Sequence, residues 1–463
     1  MELKVVEVIS KFQNLDEDQI NAVKYLDNTL VIAGAGSGKS TTIIAKIEYL
    51  LENHYYQPHE ILVISFTNES VNDLKKKINH PLAIKTFHKL ALEIIDDKNI
   101  KICHDNYLNY IIKEYFNSFA ITNHKTRIRL KRILMNNHLD NLRQLACTFI
   151  NLYKANYQGI SHLFHLYKTA WFIEKDYLYI MLEIYQMYYR ELESSGLLDF
   201  NDMIAQATNL INHNKQRTPY KLIIIDEFQD TSLIRFKLIE SILKQNDGKI
   251  FAVGDDCQSI YRFSGCDLAI FLNLKKYLPD VKMLFLNHNY RNHHSLVNIA
   301  NQFILKNTLQ IKKNTVCHKN IDKPIVIHYY DNPGTILEQI IPNISGHILV
   351  LGRNNRDKDT FHVIENDNLR FLTIHRAKGL EEETVILINL TNQILGFPSQ
   401  IKNEQLLSKV TKNDYLLYEE ERRLFYVALT RTKNKVFLLV PRERPSVFVK
   451  ELIKEYRSFI DFQ

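Results

Sequence analysis

A glycine-rich segment near the start of the chain follows an apolar run and precedes a stretch with helical character. Glycines let backbone N–H groups approach phosphates closely, and a helix that begins there adds the positive end of its dipole. A lysine in such a segment reaches the β- and γ-phosphates, and the next hydroxyl can bind Mg²⁺. We therefore predict a phosphate loop, in a variant form because alanine stands at its first position. Its residues are Ala33, Gly34, Ala35, Gly36, Ser37, Gly38, Lys39 and Ser40.

Two adjacent carboxylates, Asp226 and Glu227, close a second apolar run. Parallel sheets bind ligands at the carboxyl ends of their strands, so this pair lies where a ligand is expected. Asp226 suits a contact to Mg²⁺, which in phosphate sites takes few carboxylates besides phosphates and waters. Glu227 suits the polarisation of an attacking water. An acidic helix N-cap is the alternative for such a pair, but the phosphate loop favours hydrolysis of a nucleoside triphosphate.

Short β-branched runs alternate with helical stretches along most of the chain. Runs that are apolar on both faces are typical of central strands in a parallel sheet covered by helices. We predict two α/β lobes, with residues 1–96 and 198–280 in the first and 281–463 in the second. Residues 97–197 hold no proline and predict a helical insertion in the first lobe. The predicted strands are Thr29–Ala33, Ile61–Ser65, Leu222–Asp226, Ile250–Val253, Met283–Leu286, Ile325–Tyr329, His347–Leu351, Phe371–Ile374, Thr384–Ile388 and Val436–Val440.

Positive charge is concentrated in the helical insertion. The chain has 59 Lys and Arg against 52 Asp and Glu, a net charge of +7. Residues 101–170 hold ten basic and three acidic residues, so that window alone carries +7. An excess of this kind favours a polyanionic partner, with a solvated helix surface as the alternative. The candidate phosphate-contacting residues are Lys125, Arg127, Arg129, Lys131 and Arg132.

Cysteine usage and hydropathy exclude several protein classes. The five cysteines form no CxxC pair, which argues against a zinc site or a disulfide framework and favours a reducing compartment. No apolar run reaches the length of about 18 residues that a membrane span requires. The first residues lack the apolar core of a signal peptide. We therefore expect a cytoplasmic protein with no membrane partner.

Nine short motifs, in order, resemble those of the UvrD/PcrA/Rep-like superfamily 1 DNA helicases. The resemblance covers the chain from about residue 15 to residue 436, and the order of the motifs makes it specific. The motifs are Leu15 to Gln19, AGAGSGKS (33–40), SFTN (65–68), TFH (86–88), DEFQD (226–230), GDDCQSIYRF (254–263), NYR (289–291), TIHRAKGLE (373–381) and EERRLFYVALTR (420–431).

The resemblance implies two RecA-like lobes of the P-loop NTPase type, with ATP and Mg²⁺ bound between them. Gln19 would read the adenine and Tyr290 would stack on it. Ser40 and Asp226 would hold the metal. The catalytic groups by this carry-over are Lys39, Asp226, Glu227, Gln258, Arg291 and Arg431. The remaining ATP contacts would come from the phosphate loop together with Thr41 and Glu381.

The same resemblance implies contacts to single-stranded DNA and to junctions of single and double strands. Aromatic side chains for base stacking, together with polar groups for the backbone, are what sequence-tolerant strand binding requires. The implied residues are Phe66, Thr67, Asn68, Thr86, His88, Tyr261, Phe263 and His375. Phe263 stands where relatives usually carry tryptophan, so stacking would use a smaller ring.

The largest departure from the family is the absence of a helical subdomain in the second lobe. Only 17 residues separate Arg353 from Phe371, whereas a domain usually needs about 50 or more. We expect an ATP-dependent DNA helicase and translocase that moves 3′→5′, although strand separation by the isolated chain is left open. The alternative is a helicase-like ATPase or sensor subunit of a larger assembly with a nuclease partner, similar to the Gabija type of anti-phage system. An RNA helicase is a third, weaker hypothesis.

Overall fold

The computed structural model describes residues 15–97, 99–119, 123–135, 138–156, 158–400, 405–410 and 418–463. The strands are β1 (Thr29–Ala33), β2 (Ile61–Ile64), β3 (Ala83–Lys85), β4 (Lys101–Ile102), β5 (Leu197–Leu198), β6 (Leu222–Ile225), β7 (Lys249–Gly254), β8 (Lys282–Leu286), β9 (His288–Asn289), β10 (Val316–Cys317), β11 (Ile325–Tyr330), β12 (Ile348–Gly352), β13 (Leu369–Thr373), β14 (Glu382–Leu387), β15 (Thr432–Pro441) and β16 (Ile460–Phe462).

The α-helices are distributed over both lobes and the insertion. They are α1 (Glu17–Lys24), α2 (Lys39–Glu52), α3 (Asn68–Lys77), α4 (Phe87–Ile95), α5 (Tyr107–Glu114), α6 (His124–Leu134), α7 (Leu139–Ala155), α8 (Ile160–Thr169), α9 (Phe172–Ser195), α10 (Phe200–Asn212), α11 (Leu233–Asn246), α12 (Leu268–Leu272), α13 (Leu274–Tyr277), α14 (His294–Ile304), α15 (Pro333–Ile340), α16 (Asp357–Thr360), α17 (Glu419–Leu429) and α18 (Val447–Tyr456). None of these helices is long and apolar enough to cross a membrane.

The first lobe is built on a parallel six-stranded sheet in the order β3-β2-β6-β7-β1-β8. Successive residues of β1 point to opposite faces, and both faces are buried. Leu30 joins a cluster with α4, α10 and α11, whereas Val31 joins one with α1, α2 and α3. Because helices cover both faces, the central strands are apolar throughout, as the sequence pattern predicted.

Strand β8 belongs to the first sheet, although the sequence analysis placed its residues at the start of the second lobe. Its residues pair in parallel with β1, from Thr29 opposite Lys282 to Ala33 opposite Leu286. The chain therefore completes the first sheet before it crosses to the second lobe. Hydropathy alone could not assign this strand, because an edge strand of either sheet has the same apolar pattern.

The second lobe holds another parallel six-stranded sheet, in the order β13-β12-β14-β15-β11-β16. One face packs against α14, α17 and α18, and the other packs against α15. Two parallel sheets, each covered by helices, confirm the predicted α/β fold with two RecA-like lobes. Strands β12 and β13 are adjacent in this sheet, and the described residues that connect them form only the four-residue helix α16.

Helices α5 to α9 lie within the segment predicted as a helical insertion and share one hydrophobic cluster. Two side chains of the second lobe, Leu406 and Val410, are buried in that cluster. The Nζ atom of Lys409 lies 3.3 Å from the Glu174 carboxylate of α9. A segment of the second lobe thus docks on the insertion of the first, so the two lobes are connected outside the cleft between the sheets.

Candidate active site

The predicted phosphate loop connects β1 to α2, which begins at Lys39. Gly38 and Gly36 have left-handed backbones, with φ of +80° and +71°. A Cβ atom at Gly38 would lie 2.5 Å from Nε2 of Gln19, and one at Gly36 would lie 2.6 Å from Cβ of Arg291. Only glycine combines this backbone with such close approach. The loop therefore has no side chain at Gly38 and Gly36, where Gln19 and Arg291 approach its backbone.

The two carboxylates lie beside the phosphate-loop lysine, directly after β6. The Nζ atom of Lys39 is 3.4 Å from Oε1 of Glu227. Burial, and then the neighbouring Glu227 charge, raise the pKa of Asp226. Burial opposes ionisation of Glu227 too, but the charges of Lys39 and Lys378 lower its pKa. Glu227 is thus the ionised member of the pair, suited to accept a hydrogen bond from water.

Two arginines of the second lobe face this site. Arg291 donates from Nε to Glu381, at 2.6 Å. Arg431 is 1% exposed and donates from Nη2 to Oε1 of Gln258, at 3.0 Å. Burial, and then the nearby Arg291 charge, lower the pKa of Arg431 to about 9. Two guanidinium groups held together in a buried site are matched by an anion with several charges, such as a polyphosphate.

The other end of the site is held by α1 and Tyr290. The Asp16 side chain accepts from the Gln19 backbone N–H at 2.8 Å, and the Gln19 side chain accepts from the Asp16 backbone N–H at 3.1 Å. This reciprocal cap fixes the Gln19 side chain. The Tyr290 hydroxyl donates to the second Asp16 oxygen at 2.6 Å. Gln19 and Tyr290, both predicted to contact adenine, are thus linked through one carboxylate.

These groups enclose one cavity of about 500 Å³ between the lobes. Its lining combines phosphate-loop residues, the Glu227 carboxylate and residues of the second lobe. They are Gln19, Ala35, Gly36, Ser37, Gly38, Lys39, Ser40, Thr41, Glu227, Gln258, Tyr290, Arg291, Gly379, Glu381 and Arg431. Of the predicted ATP and catalytic residues, Ala33, Gly34 and Asp226 lie outside this lining. A cavity of this size and charge can hold a nucleoside triphosphate.

The residues predicted for Mg²⁺ fit a cation at this place. Ser40 lines the cavity from the first turn of α2, and Asp226 is a buried carboxylate beside a second one. Burial, and then the Glu227 charge, raise the pKa of Asp226, and the Lys39 charge compensates only part of this effect. A divalent cation bound with phosphates would supply that compensation.

Several groups of the site were missed as individual residues. The ammonium of Lys378 is buried in an ion pair with Asp230 and donates to the Gln258 carbonyl oxygen at 2.7 Å. Gln229 donates from Nε2 to Glu227. Both lie inside motifs that the sequence analysis quoted, so motif membership was the available signal. Asp16 also lies inside a quoted motif, Leu15 to Gln19, but its contact with Tyr290 joins residues that are distant in sequence.

The residues predicted to contact DNA fall into three groups in the first lobe and at its border. Phe66 is half-buried, with its ring centroid 5.4 Å from that of Phe87 and 5.4 Å from the Arg235 guanidinium. Thr67 caps α3, where its Oγ1 accepts from the Ser70 N–H at 3.1 Å, and Asn68 follows it in an exposed position. Part of this group therefore stabilises the lobe itself.

Thr86 and His88 form the second group at the start of α4. Thr86 caps the helix by accepting from the Lys89 N–H at 3.3 Å. The His88 ring lies 4.6 Å from that of Phe200. Burial, and then the Arg235 charge, lower the pKa of His88 to about 4. The imidazole is therefore neutral near pH 7 and can form a hydrogen bond there without adding charge.

The third group joins the two lobes. The Tyr261 hydroxyl donates to the His375 carbonyl oxygen at 2.8 Å, and the Phe263 ring lies 5.5 Å from the His375 ring, edge to face. Phe263 is 54% exposed, which leaves a ring face open for stacking. Burial, and then the charges of Arg353 and Lys378, lower the pKa of His375 to about 4.

The five basic residues predicted as one phosphate-contacting face do not have equal surroundings on α6. Arg129 is half-buried, is paired with Asp176 and has its guanidinium 4.3 Å from the Tyr179 ring centroid. Arg132 is also paired with Asp176, at 2.8 Å, although its side chain is 54% exposed. Lys125, Arg127 and Lys131 are exposed. The predicted phosphate-contacting face therefore has fewer available cations than expected, because Asp176 of α9 binds Arg129 and Arg132.

Comparison with known proteins shows which family the chain is similar to. Residues 15–279 match the family described as UvrD/REP helicase N-terminal domain, which is more than half of the chain. The chain belongs to the UvrD/REP helicase family. Residues 348–443 match the UvrD-like helicase C-terminal domain. These two matches include the phosphate loop, both carboxylates and Arg431.

Several UvrD/REP relatives are named as DNA helicases. DNA helicase IV of Escherichia coli (strain K12) is 28% identical over 91% of this chain and 67% of its own length. A probable DNA helicase of Mycoplasma pneumoniae is 28% identical over 96% of this chain and 88% of its own. ATP-dependent DNA helicase Rep of Buchnera aphidicola (subsp. Acyrthosiphon pisum) is 31% identical over 65% of this chain, which spans only 46% of Rep.

Proposed function

We propose that the chain is a motor enzyme that hydrolyses ATP, translocates 3′→5′ on single-stranded DNA and separates strands at junctions. The observation that supports this most strongly is the cavity between the lobes. The phosphate loop and Glu227 of the first lobe line it together with Arg291 and Arg431 of the second. A nucleotide bound there would contact both lobes, so its hydrolysis would change their separation.

The chemistry of the proposed reaction follows from the charges around the cavity. Mg²⁺, when bound, supplies charge neutralisation at the phosphates. Lys39 and the loop amides bind the phosphates, and Ser40 and Asp226 would hold the metal. Glu227 orients and polarises the attacking water, and Gln229 fixes one of its carboxylate oxygens.

The arginines of the second lobe stabilise the negative charge that develops while the γ-phosphoryl group is transferred to water. Arg291 and Arg431 donate to the γ-phosphate oxygens, which gain negative charge as the bond to the leaving group breaks. Gln258 contacts Arg431 and also lines the cavity, so it reports the state of the phosphate to the loop that carries Tyr261 and Phe263. This loop connects the proposed nucleotide site to the proposed DNA surface.

A streptavidin-displacement assay tests the polarity. Single-stranded oligonucleotides carry biotin at the 5′ or the 3′ end, and streptavidin release is measured with ATP. A 3′→5′ motor releases streptavidin from the 5′ end. Release from the 3′ end alone, or equally from both, would overturn the assigned direction.

Phe263→Ala is expected to weaken binding of single-stranded DNA while ATP binding is retained. Stacking of a base on an aromatic ring contributes roughly 1–3 kcal/mol, so the Kd should rise by about 5- to 150-fold. Fluorescence anisotropy with a labelled oligothymidine measures it. Tyr55→Ala is the control, because Tyr55 is also exposed but lies beyond the end of α2, away from the cleft. An equal Kd for both variants would remove Phe263 from the DNA surface.

Neutralising the exposed cations of α6 is expected to flatten the salt dependence of DNA binding. The slope of log K against log salt falls by about 0.7 for every single-strand phosphate that the protein no longer neutralises. The variant replaces Lys125, Arg127 and Lys131 with glutamine. The control replaces Lys75, Lys76 and Lys77 with glutamine, which gives the same charge change at the exposed end of α3. A slope that changes equally in both variants would assign the α6 charge to general attraction.

A role in a larger assembly is the second candidate. The connection from β12 to β13 contains only α16 in its described residues, so an element that could grip duplex DNA is lacking at that place. A partner, such as a nuclease, would supply such contacts. Native mass measurement of the protein isolated from its own cells tests this, and a lone monomer would contradict it.

A further inference from the structure

Lys313 is a buried lysine that no motif of the sequence includes. It lies between α14 and β10, and its side chain is 6% exposed. Its Nζ atom is 2.6 Å from Asp255, 2.6 Å from Asp256 and 3.2 Å from the Cys257 sulfur. Both carboxylates are fully buried. Buried charges are stable only when an opposite charge compensates them, so the Asp255 and Asp256 carboxylates both depend on the Lys313 ammonium.

The ammonium occupies a place where a metal ion could otherwise bind. Asp255, Asp256 and Cys257 are the one group among the described residues whose ligand atoms converge closely enough for a metal. Lys313 donates to all three of them. The protein therefore supplies its own cation at this position, and that cation is covalently tied to the segment that follows α14.

A chain of hydrogen bonds leads from Lys313 to the proposed ATP site. Oδ1 of Asp255 accepts from Lys313, and its Oδ2 accepts from Nε2 of Gln258 at 2.7 Å. With Nε2 engaged, the amide of Gln258 presents Oε1 to Arg431, at 3.0 Å. A side-chain amide can bind in either of two orientations, so its partners decide which atom faces the cavity.

A second branch leads from the same loop to the carboxylate pair. The Asp255 backbone N–H donates to Oε1 of Gln229 at 2.9 Å, and Nε2 of Gln229 donates to Glu227. Asp256 is fixed as well, because its Oδ2 accepts from the Ile311 N–H at 2.7 Å. The segment that carries Lys313 is therefore held to this loop by backbone and side chain together.

Lys313 forms a contact between the two lobes. Asp255 and Asp256 follow β7 of the first sheet, whereas α14, which precedes Lys313, packs on the second sheet. An ion pair between these segments couples the loop that senses the phosphate to the lobe that must move. A lysine elsewhere in the core would stabilise the fold but would not have this connection.

We propose that Lys313 is a positioning residue for ATP hydrolysis. Its ammonium fixes the Asp255 carboxylate, so that Gln258 presents its side-chain oxygen, Oε1, to Arg431. This inference rests on the proposed ATPase function and adds to it a residue that touches neither nucleotide nor DNA. It predicts a defect in the chemical step rather than in nucleotide binding.

Lys313→Met tests the proposal, because methionine keeps most of the side-chain length and removes the charge. The kcat of DNA-stimulated ATP hydrolysis should fall by about 10- to 100-fold, with the KM for ATP nearly unchanged. Lys312→Met is the matched control, since Lys312 is its exposed neighbour, and it should keep the kcat of the unsubstituted protein. An unchanged kcat in Lys313→Met would overturn the proposal.

A second variant separates positioning from folding. Lys313→Met leaves two buried carboxylates without their cation, so it also lowers stability. The double variant Lys313→Met with Asp255→Asn removes one of those charges and should recover stability in thermal unfolding. Under the proposal its kcat stays low, because an asparagine no longer orients Gln258 uniquely. Recovery of kcat together with stability would show a merely structural role and overturn the proposal.

The controls also distinguish this inference from the function on which it rests. If the unsubstituted chain lacks DNA-stimulated ATP hydrolysis, the proposed function fails before any variant is measured. If that activity is present and Lys313→Met retains it, only the role of Lys313 fails.

Discussion

Glu227→Gln is expected to reduce the kcat for ATP hydrolysis by about 10²- to 10⁴-fold, because the amide cannot accept a proton from the attacking water. Glutamine keeps the shape of the side chain and can still contact Gln229. ATP binding should be kept or become tighter, since Lys39 loses a carboxylate 3.4 Å away and its charge becomes fully available to the phosphates.

The measurement combines a steady-state ATPase assay with binding of a fluorescent ATP analogue. Glu240→Gln is the matched control, because Glu240 is also a largely buried carboxylate in ion pairs, with Lys237 and Lys244, but lies on α11 outside the cavity. It should leave kcat unchanged. If Glu227→Gln hydrolyses ATP at the rate of the control, Glu227 is not the group that activates water.

Arg291→Ala is expected to have an effect of at least the same size. An arginine that stabilises the transferring phosphoryl group contributes about 10³-fold or more to kcat. Arg291 reaches the cavity from the second lobe. Its Cβ lies 2.6 Å from the position that a Cβ atom added to Gly36 would occupy. Its removal therefore takes away the contact by which the second lobe acts on a nucleotide bound to the first.

The control for this variant is Arg442→Ala, also in the second lobe, where the arginine is 62% exposed in its side chain and pairs with Asp331. Single-turnover hydrolysis separates chemistry from product release. Arg291→Ala should slow the chemical step, with ATP affinity changed far less than kcat. A loss confined to KM would assign Arg291 to nucleotide binding and contradict its role in the transition state.

Much of the proposed nucleotide site could be predicted because its residues lie in short contiguous motifs. The phosphate loop needs glycines at fixed positions for backbone reasons, and these are visible in a glycine-poor chain. Thus the residues from Ala35 to Thr41 were named from the sequence and line one cavity. Glu227 was predicted because the carboxylate pair closes an apolar run with the pattern of a central strand in a chain that also has a phosphate loop.

Features that depend on tertiary pairing could not be predicted in this way. The assignment of β8 to the first sheet depends on its pairing with β1, which hydropathy does not encode. Arg129 was predicted to belong to a phosphate-contacting face, but Asp176, 47 residues along the chain, binds it. Lys313 resembles its exposed neighbour Lys312 in sequence, and only the convergence of Asp255 and Asp256 on its ammonium distinguishes the two.

The steady-state rate of ATP hydrolysis with and without single-stranded DNA, in the presence of Mg²⁺, tests most directly the claim that the cleft is a DNA-coupled ATPase. We predict a slow rate without DNA, a clearly higher rate with an oligothymidine, and loss of both rates in Lys39→Ala. A rate that is the same with and without DNA, or that persists in Lys39→Ala, would contradict the account.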